Sequence, residues 1–191
     1  MKTNMEELAR LVAQGTTTKD QSIKEKQLWN ALDPGEKRQT SESVAFASFA
    51  GSTLLLPDPF DHSNEDPPRP DICTEIRGGK YYFELGEITD ENLAKSISDP
   101  IRARTVSGCA LSQIDPLGKM LDQKCRKRYE TSGAPVDLLL YYRRQSPYEP
   151  VIEDYISENR TEIDRAFKNS GFQNIWIYDM ESERVLWRGQ R

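Results

Sequence analysis

The sequence predicts an α/β fold: a mixed central β-sheet flanked by helices. Three observations point there. The hydrophobic period changes from helical to extended after residue 70, and strand-like and helix-like segments then alternate to the end. The segment VDLLLYY (136–142) is too apolar for a strand with one wet face, so it belongs in the middle of a sheet. The 191 residues suffice for one domain with a buried core and an appendage. An apolar fraction of 36% and a mean hydropathy of −0.74 are low for such a domain, so part of the chain is expected as loop or arm.

The elements follow in order. MEELARLVAQ places Leu8, Leu11 and Val12 at helical spacing, and DQSIKEKQLWNAL does the same with Ile23, Leu28, Trp29 and Leu32. Asp33-Pro34-Gly35 reads as a stop. Residues 1–40 are therefore expected as an N-terminal helical arm, and 41–191 as the α/β domain. SESVAFASFAG predicts a short helix, turning into a strand at STLLL. Pro57–Pro70 reads as a long loop, with five prolines among Asp, Ser, Asn and Glu. DICTEI, RGG and KYYFELGEI form a predicted β-hairpin, with Gly78-Gly79 supplying the positive-φ turn. TDENLAKSI opens as a helix with Thr89 or Asp90 as cap. PLGKMLDQKCRKRYETSG predicts a helix with Pro116 in its first turn, a stripe of Leu117, Leu121, Cys125 and Tyr129, and Gly133 as its end. PVIEDYISENRTEIDRAFKNSG predicts an amphipathic helix stopped by Gly171, and NIWIYD and RVLW predict two closing strands. Trp176 and Trp187 are expected in the core. Tyr81, Tyr82, Tyr141 and Tyr142 are expected as core or cross-strand residues in preference to stacking platforms for bases.

Composition removes several function classes. No apolar run approaches the roughly 18 residues of a membrane helix. The N-terminal stretch carries acids and no apolar signal core, which predicts a cytoplasmic location. Cys73, Cys109 and Cys125 are too few and scattered for a disulfide framework, and with a single histidine a tetrahedral zinc site is not expected. That histidine, His62, falls in the proline- and acid-rich loop, a poor scaffold for a nucleophile's base. A formal charge of −5 argues against a polybasic coat. It leaves room for a local basic surface: Lys119, Lys124, Arg126, Lys127 and Arg128 face a single acid, Asp122, within ten residues. These cations suit nucleic-acid phosphates, and equally suit the exposed C-terminal end of a helix. The N-terminal helices offer a surface for a protein partner or a homodimer, and equally for the chain's own sheet.

The chemistry is concentrated in PPRPDICTEIRGGKYYFELGEIT. A hairpin brings Asp71, at the start of one strand, beside Glu84 in its neighbour, with Glu87 three residues on. Two converging carboxylates do not both stay ionised cheaply without a cation between them. Mg²⁺ or Mn²⁺ suits such a pair, acidifying a bound water and neutralising charge on a phosphate. The competing reading makes both acids solvated charges on a hairpin face.

Pro70-Asp71, a short strand, a glycine turn and an apolar strand carrying Glu84 resemble the PD-(D/E)xK nuclease superfamily. The resemblance spans roughly residues 41–145. It implies a restriction-endonuclease-like αβββαβ core and metal ligation by Asp71, Glu84 and the Leu85 carbonyl, with Glu87 as a further acid. It implies metal-dependent hydrolysis of phosphodiester bonds in DNA or RNA. One position departs: the superfamily's lysine falls on Gly86. A lysine from the following helix takes that role in some variants, and Lys124 is the expected substitute, with Gln123 and Lys127 as alternatives. Lys119, Lys127 and Arg128 are the expected nucleic-acid contacts. The other function consistent with the missing lysine is a catalytically inactive member of the fold that serves as a binding or interaction module.

Overall fold

The computed structural model describes residues 27–28, 30–54, 61–89, 92, 115–144 and 151–190. The predicted helices at 5–14 and 89–97, most of the helix at 20–32, and Cys109 lie largely or wholly outside them. The chain divides into two compact units, Met1–Ala47 and Ser48–Arg191.

Helix α1 spans Pro34–Phe49. The helical residues before it end at Ala31, as expected, and Asp33-Pro34-Gly35 also starts the next helix. The Asp33 N–H donates to Glu36 Oε2 and the Glu36 N–H donates to Asp33 Oδ1, each at 2.9 Å. This reciprocal box satisfies two donors left orphaned at a helix start. Pro34 occupies the first helical position, where a missing N–H costs nothing. The expected arm boundary at 40/41 consequently falls inside one continuous helix. Within the first unit Glu42 pairs with Arg38 one turn earlier at 3.6 Å.

In the second unit Ala50–Leu54 is π-helical, where a strand was expected to begin. Six strands follow: β1 (His62–Asn64), β2 (Ile72–Ile76), β3 (Gly79–Ile88), β4 (Val136–Tyr142), β5 (Asn174–Asp179) and β6 (Arg184–Gln190). They form one sheet in sequence order. β1, β2 and β3 pair antiparallel, β3, β4 and β5 parallel, and β5 and β6 antiparallel. The sheet is thus mixed, with the apolar β4 in its interior as its sequence requires. The predicted long loop contains β1, an edge strand holding His62 opposite Thr74.

The hairpin turn sits one residue earlier than expected. Arg77 and Gly78 adopt φ of 54° and 79°, the pair of left-handed residues that a tight two-residue hairpin needs. Helix α2 is Pro116–Cys125, capped by Asp115, whose carboxylate accepts the Leu117 and Gly118 N–H groups. It ends eight residues before Gly133. The chain beyond it runs beside the loop that precedes β2, where the Glu130 N–H donates to the Pro68 carbonyl at 3.2 Å. Tyr129 turns in against Phe172, ring centroids 5.9 Å apart. The single helix expected over 150–171 is two, α3 (Ile152–Glu158) and α4 (Arg160–Asn169). They meet at Asn159, whose backbone leaves the helical region (φ −111°, ψ 13°) and whose side-chain amide donates to the Tyr155 carbonyl at 2.9 Å.

Alternation along the strands sorts the sheet into two faces. Ile88, Leu138, Leu140, Ile175 and Ile177 pack with Leu117 and Leu121 of α2 and Ile163 of α4, all buried. Each such fully buried aliphatic side chain contributes about 1.5–3 kcal/mol. On the other face Phe49 meets Phe83, Trp176 and Tyr178 edge-on at 6.1, 5.3 and 5.6 Å. Tyr82, Tyr141 and Tyr142 are buried, as expected of core aromatics, and Trp187 packs on Phe167. Among the described residues no helix is long and apolar enough to cross a membrane.

Candidate functional site

β2 and β3 pair with Ile72 opposite Phe83. Extending that register by one residue sets Asp71 opposite Glu84, on the same face. Asp71 is anchored there because its Oδ2 accepts the Leu85 N–H at 2.8 Å. The Tyr82 N–H donates to the Pro135 carbonyl, on the β4 side. Backbone groups alternate along a strand, so odd-numbered residues of β3, Leu85 included, turn N–H and C=O toward the β2 edge. The Leu85 carbonyl is therefore directed to the edge where Asp71 stands, past the end of β2.

Glu84 has only 2% of its side chain exposed, and two ammonium groups converge on its Oε1: Lys124 Nζ at 2.5 Å and Lys127 Nζ at 3.0 Å. Lys124 Nζ also lies 3.7 Å from Asp71 Oδ2. Burial pushes the Glu84 carboxyl up, but the charge and hydrogen bonds of Lys124 and Lys127 outweigh it and hold the group below the usual value of 4.5. Glu84 is thus ionised although buried.

The approach of α2 explains how Lys124 arrives, and why position 86 is glycine. Gly86 lies on the same face as Glu84, beneath α2. A Cβ there would stand 2.9 Å from Met120 Sδ and 3.0 Å from Leu140 Cδ2. A side chain at 86 would have to displace the Met120 thioether and the Leu140 methyl, which fill the space beneath α2. Lys124 is in the last turn of α2, where the helix dipole favours a cation.

The other predicted residues are placed as follows. Glu87 is an odd-numbered residue of β3, on the face opposite Glu84, and is not brought to the pair; an offset of three along a strand reverses the face. Among the described residues no group of three His, Cys, Asp or Glu side chains is set to hold a metal ion. Gln123 is exposed on α2. Lys127 and Arg128 line a groove of about 610 Å³ whose floor includes Pro135, Val136 and Gly171–Gln173. Lys119 is exposed on α2 and is not part of that lining. Cys125 is half-buried, and burial raises its thiol to about 11, which excludes it as a ready nucleophile.

Two features carried no functional reading in the sequence. The Tyr129 hydroxyl is buried with no hydrogen-bond partner. Burial first, then the charge of Glu84, pushes its pKa up. It had been read only as one of a helix stripe. On the opposite face Asp137 is 2% exposed. It accepts from the Tyr81 hydroxyl, the Asn174 N–H and side-chain amide, and the Trp176 indole. An acid inside the apolar run VDLLLYY was its available signal.

Taken as donors, Asp71, Glu84 and the Leu85 carbonyl suit a hard divalent cation: two carboxylates and one carbonyl oxygen, the remainder water. No protein-family model, curated protein or solved structure matches this chain.

Proposed function

We propose that this protein is a metal-dependent nuclease of the PD-(D/E)xK kind, hydrolysing phosphodiester bonds in DNA or RNA, with its lysine supplied by α2 in place of β3. The observation that carries the reading is Lys124 Nζ, set against both Glu84 and Asp71 while the motif position is a glycine. Support comes also from chain order: a helix, three antiparallel strands, a helix and a parallel strand follow one another as an αβββαβ core requires.

In this reading Asp71, Glu84 and the Leu85 carbonyl hold Mg²⁺ or Mn²⁺. Such an ion supplies a water of lowered pKa and neutralises charge on the phosphate. The chain's own groups do the rest. The Leu85 N–H orients Asp71. Glu84 stays ionised at neutral pH. The Lys124 ammonium steadies negative charge growing on the phosphate or orients the attacking water. Lys127 and Arg128 meet flanking phosphates.

The test is incubation of plasmid DNA and of RNA with Mg²⁺ or Mn²⁺, wild type against Glu84→Ala and Lys124→Met. Cleavage by wild type alone supports the assignment; equal cleavage by all three removes it. The inactive-module reading rests on one observation of its own. Two lysines already balance the two acids, so the site is electrically complete as it stands. Absence of cleavage together with absence of any divalent-ion stabilisation would favour it.

A further inference from the structure

Lys124 and Lys127 share one oxygen, Glu84 Oε1, but they are not equivalent. Lys124 has 15% of its side chain exposed and reaches a second carboxylate. Lys127 has 51% exposed, and among the described residues its ammonium reaches Glu84 alone. Two like charges on one oxygen repel each other, and the half-exposed one is held least, because solvent screens its attraction. Lys127 also lines the groove of about 610 Å³ beyond the site, together with Arg128. That lining contains no Asp or Glu, in a chain of net charge −5. A nucleic-acid backbone is the occupant its charge fits.

We propose that Lys127 is an exchangeable cation that couples divalent-ion binding at Glu84 to nucleic-acid binding in the adjoining groove. With no ion bound, Lys127 neutralises Glu84. A divalent ion at Glu84 replaces that charge and repels the ammonium. Lys127 then turns to the groove, where it meets a phosphate. Ion and strand therefore bind with positive cooperativity, each removing a cost the other would otherwise meet. The inference rests on Asp71 and Glu84 forming the metal site proposed above, and it goes further in assigning the order of charge exchange.

The experiment uses the full chain and Ca²⁺, with no cleavage readout. Ca²⁺ affinity is measured by calorimetry, and affinity for fluorescent single-stranded DNA and RNA oligonucleotides by anisotropy, each with Ca²⁺ or with chelator. In wild type Ca²⁺ is expected to tighten oligonucleotide binding by about fivefold or more. Lys127→Met is expected to bind Ca²⁺ several-fold more tightly than wild type and to lose most of that enhancement; Lys127→Gln serves as a second variant with the same expectation. Arg128→Met is expected to weaken oligonucleotide binding equally with and without Ca²⁺, leaving the enhancement intact. Equal Ca²⁺ affinity in wild type and both Lys127 variants overturns the exchange, and so does an enhancement lost equally in Arg128→Met. No Ca²⁺ binding by wild type, with Glu84→Ala indistinguishable, overturns the metal site itself and the coupling with it.

Discussion

Two buried carboxylates sit on neighbouring strands of one sheet and are kept in opposite ways. Glu84 on β3 faces α2 and is met by two lysine ammonium groups. Asp137 on β4 faces the other side and is met only by neutral donors from Tyr81, Asn174 and Trp176. The difference appears in their ionisation. Glu84 is buried, but its cations hold it below the usual value. For Asp137 burial prevails over its hydrogen bonds, and its pKa is raised. Neutral donors on the two flanking strands make Asp137, on β4, a clasp across β3, β4 and β5. Glu84 is met by cations in and just past the last turn of α2, one of them half in solvent. Burial is common to the two acids; the charge of their partners separates them.

The largest effect on stability is expected from Asp137→Ala. It leaves the Trp176 indole, the Asn174 N–H and the Tyr81 hydroxyl without their Asp137 acceptor, the Asn174 side-chain amide keeping only its bond to the Tyr81 hydroxyl, at about 1–3 kcal/mol for each buried group left unpaired. A loss of roughly 4 kcal/mol in urea unfolding is expected, and a loss under 1 kcal/mol would undo the contrast drawn here. Glu84→Gln comes next. It separates Lys124 from its main partner, but Asp71 remains, so the expected cost is about 2 kcal/mol, below the range for a fully stranded buried charge. On the nuclease reading proposed above, cleavage and any Mn²⁺-induced rise in melting temperature should vanish with it.

Acid titration sharpens the comparison further. For Glu84 the folded value lies below the unfolded 4.5, so its stabilisation is full above 4.5 and is lost as pH falls through the folded value. For Asp137 the folded value lies above the unfolded 3.8, so stability is greatest below 3.8 and declines as pH rises from there through the folded value. The urea midpoint followed against pH should therefore show the acid-side loss blunted in Glu84→Gln and the decline above 3.8 abolished in Asp137→Asn. Like slopes in the two variants would mean the acids are held alike. The smallest effect belongs to Arg188→Ala. Arg188 lies 4.1 Å from the Trp176 ring centroid and donates to Asn174 Oδ1 at 3.3 Å. A loss of about 0.5–1 kcal/mol is expected at so exposed a cation.

Much of the hairpin was legible because it is written locally. Period-two alternation and a glycine turn pin β2 and β3, and the register that follows aligns Asp71 with Glu84. Lys124 was legible from the wheel of α2, since Leu117 and Leu121 define the buried side. The start of α1 was missed because Asp-Pro-Gly is a turn signal and a helix start at once; here it is both, and the reciprocal bonding of Asp33 and Glu36 makes the second helix begin at Pro34. The end of α2 was misread because nothing local forbids helix from Arg126 to Ser132. That chain is drawn off by a contact with Pro68, more than fifty residues away in sequence. The Asp137 clasp was missed for a similar reason: its donors come from strands separated by long stretches of chain, and the run around it is simply apolar.

Gly86 leaves β3 bare beneath α2, and the Met120 thioether and a Leu140 methyl occupy the space a side chain would take. A larger residue at 86 must first displace them, so the seat of the helix whose last turn carries Lys124 depends on a position that offers only backbone.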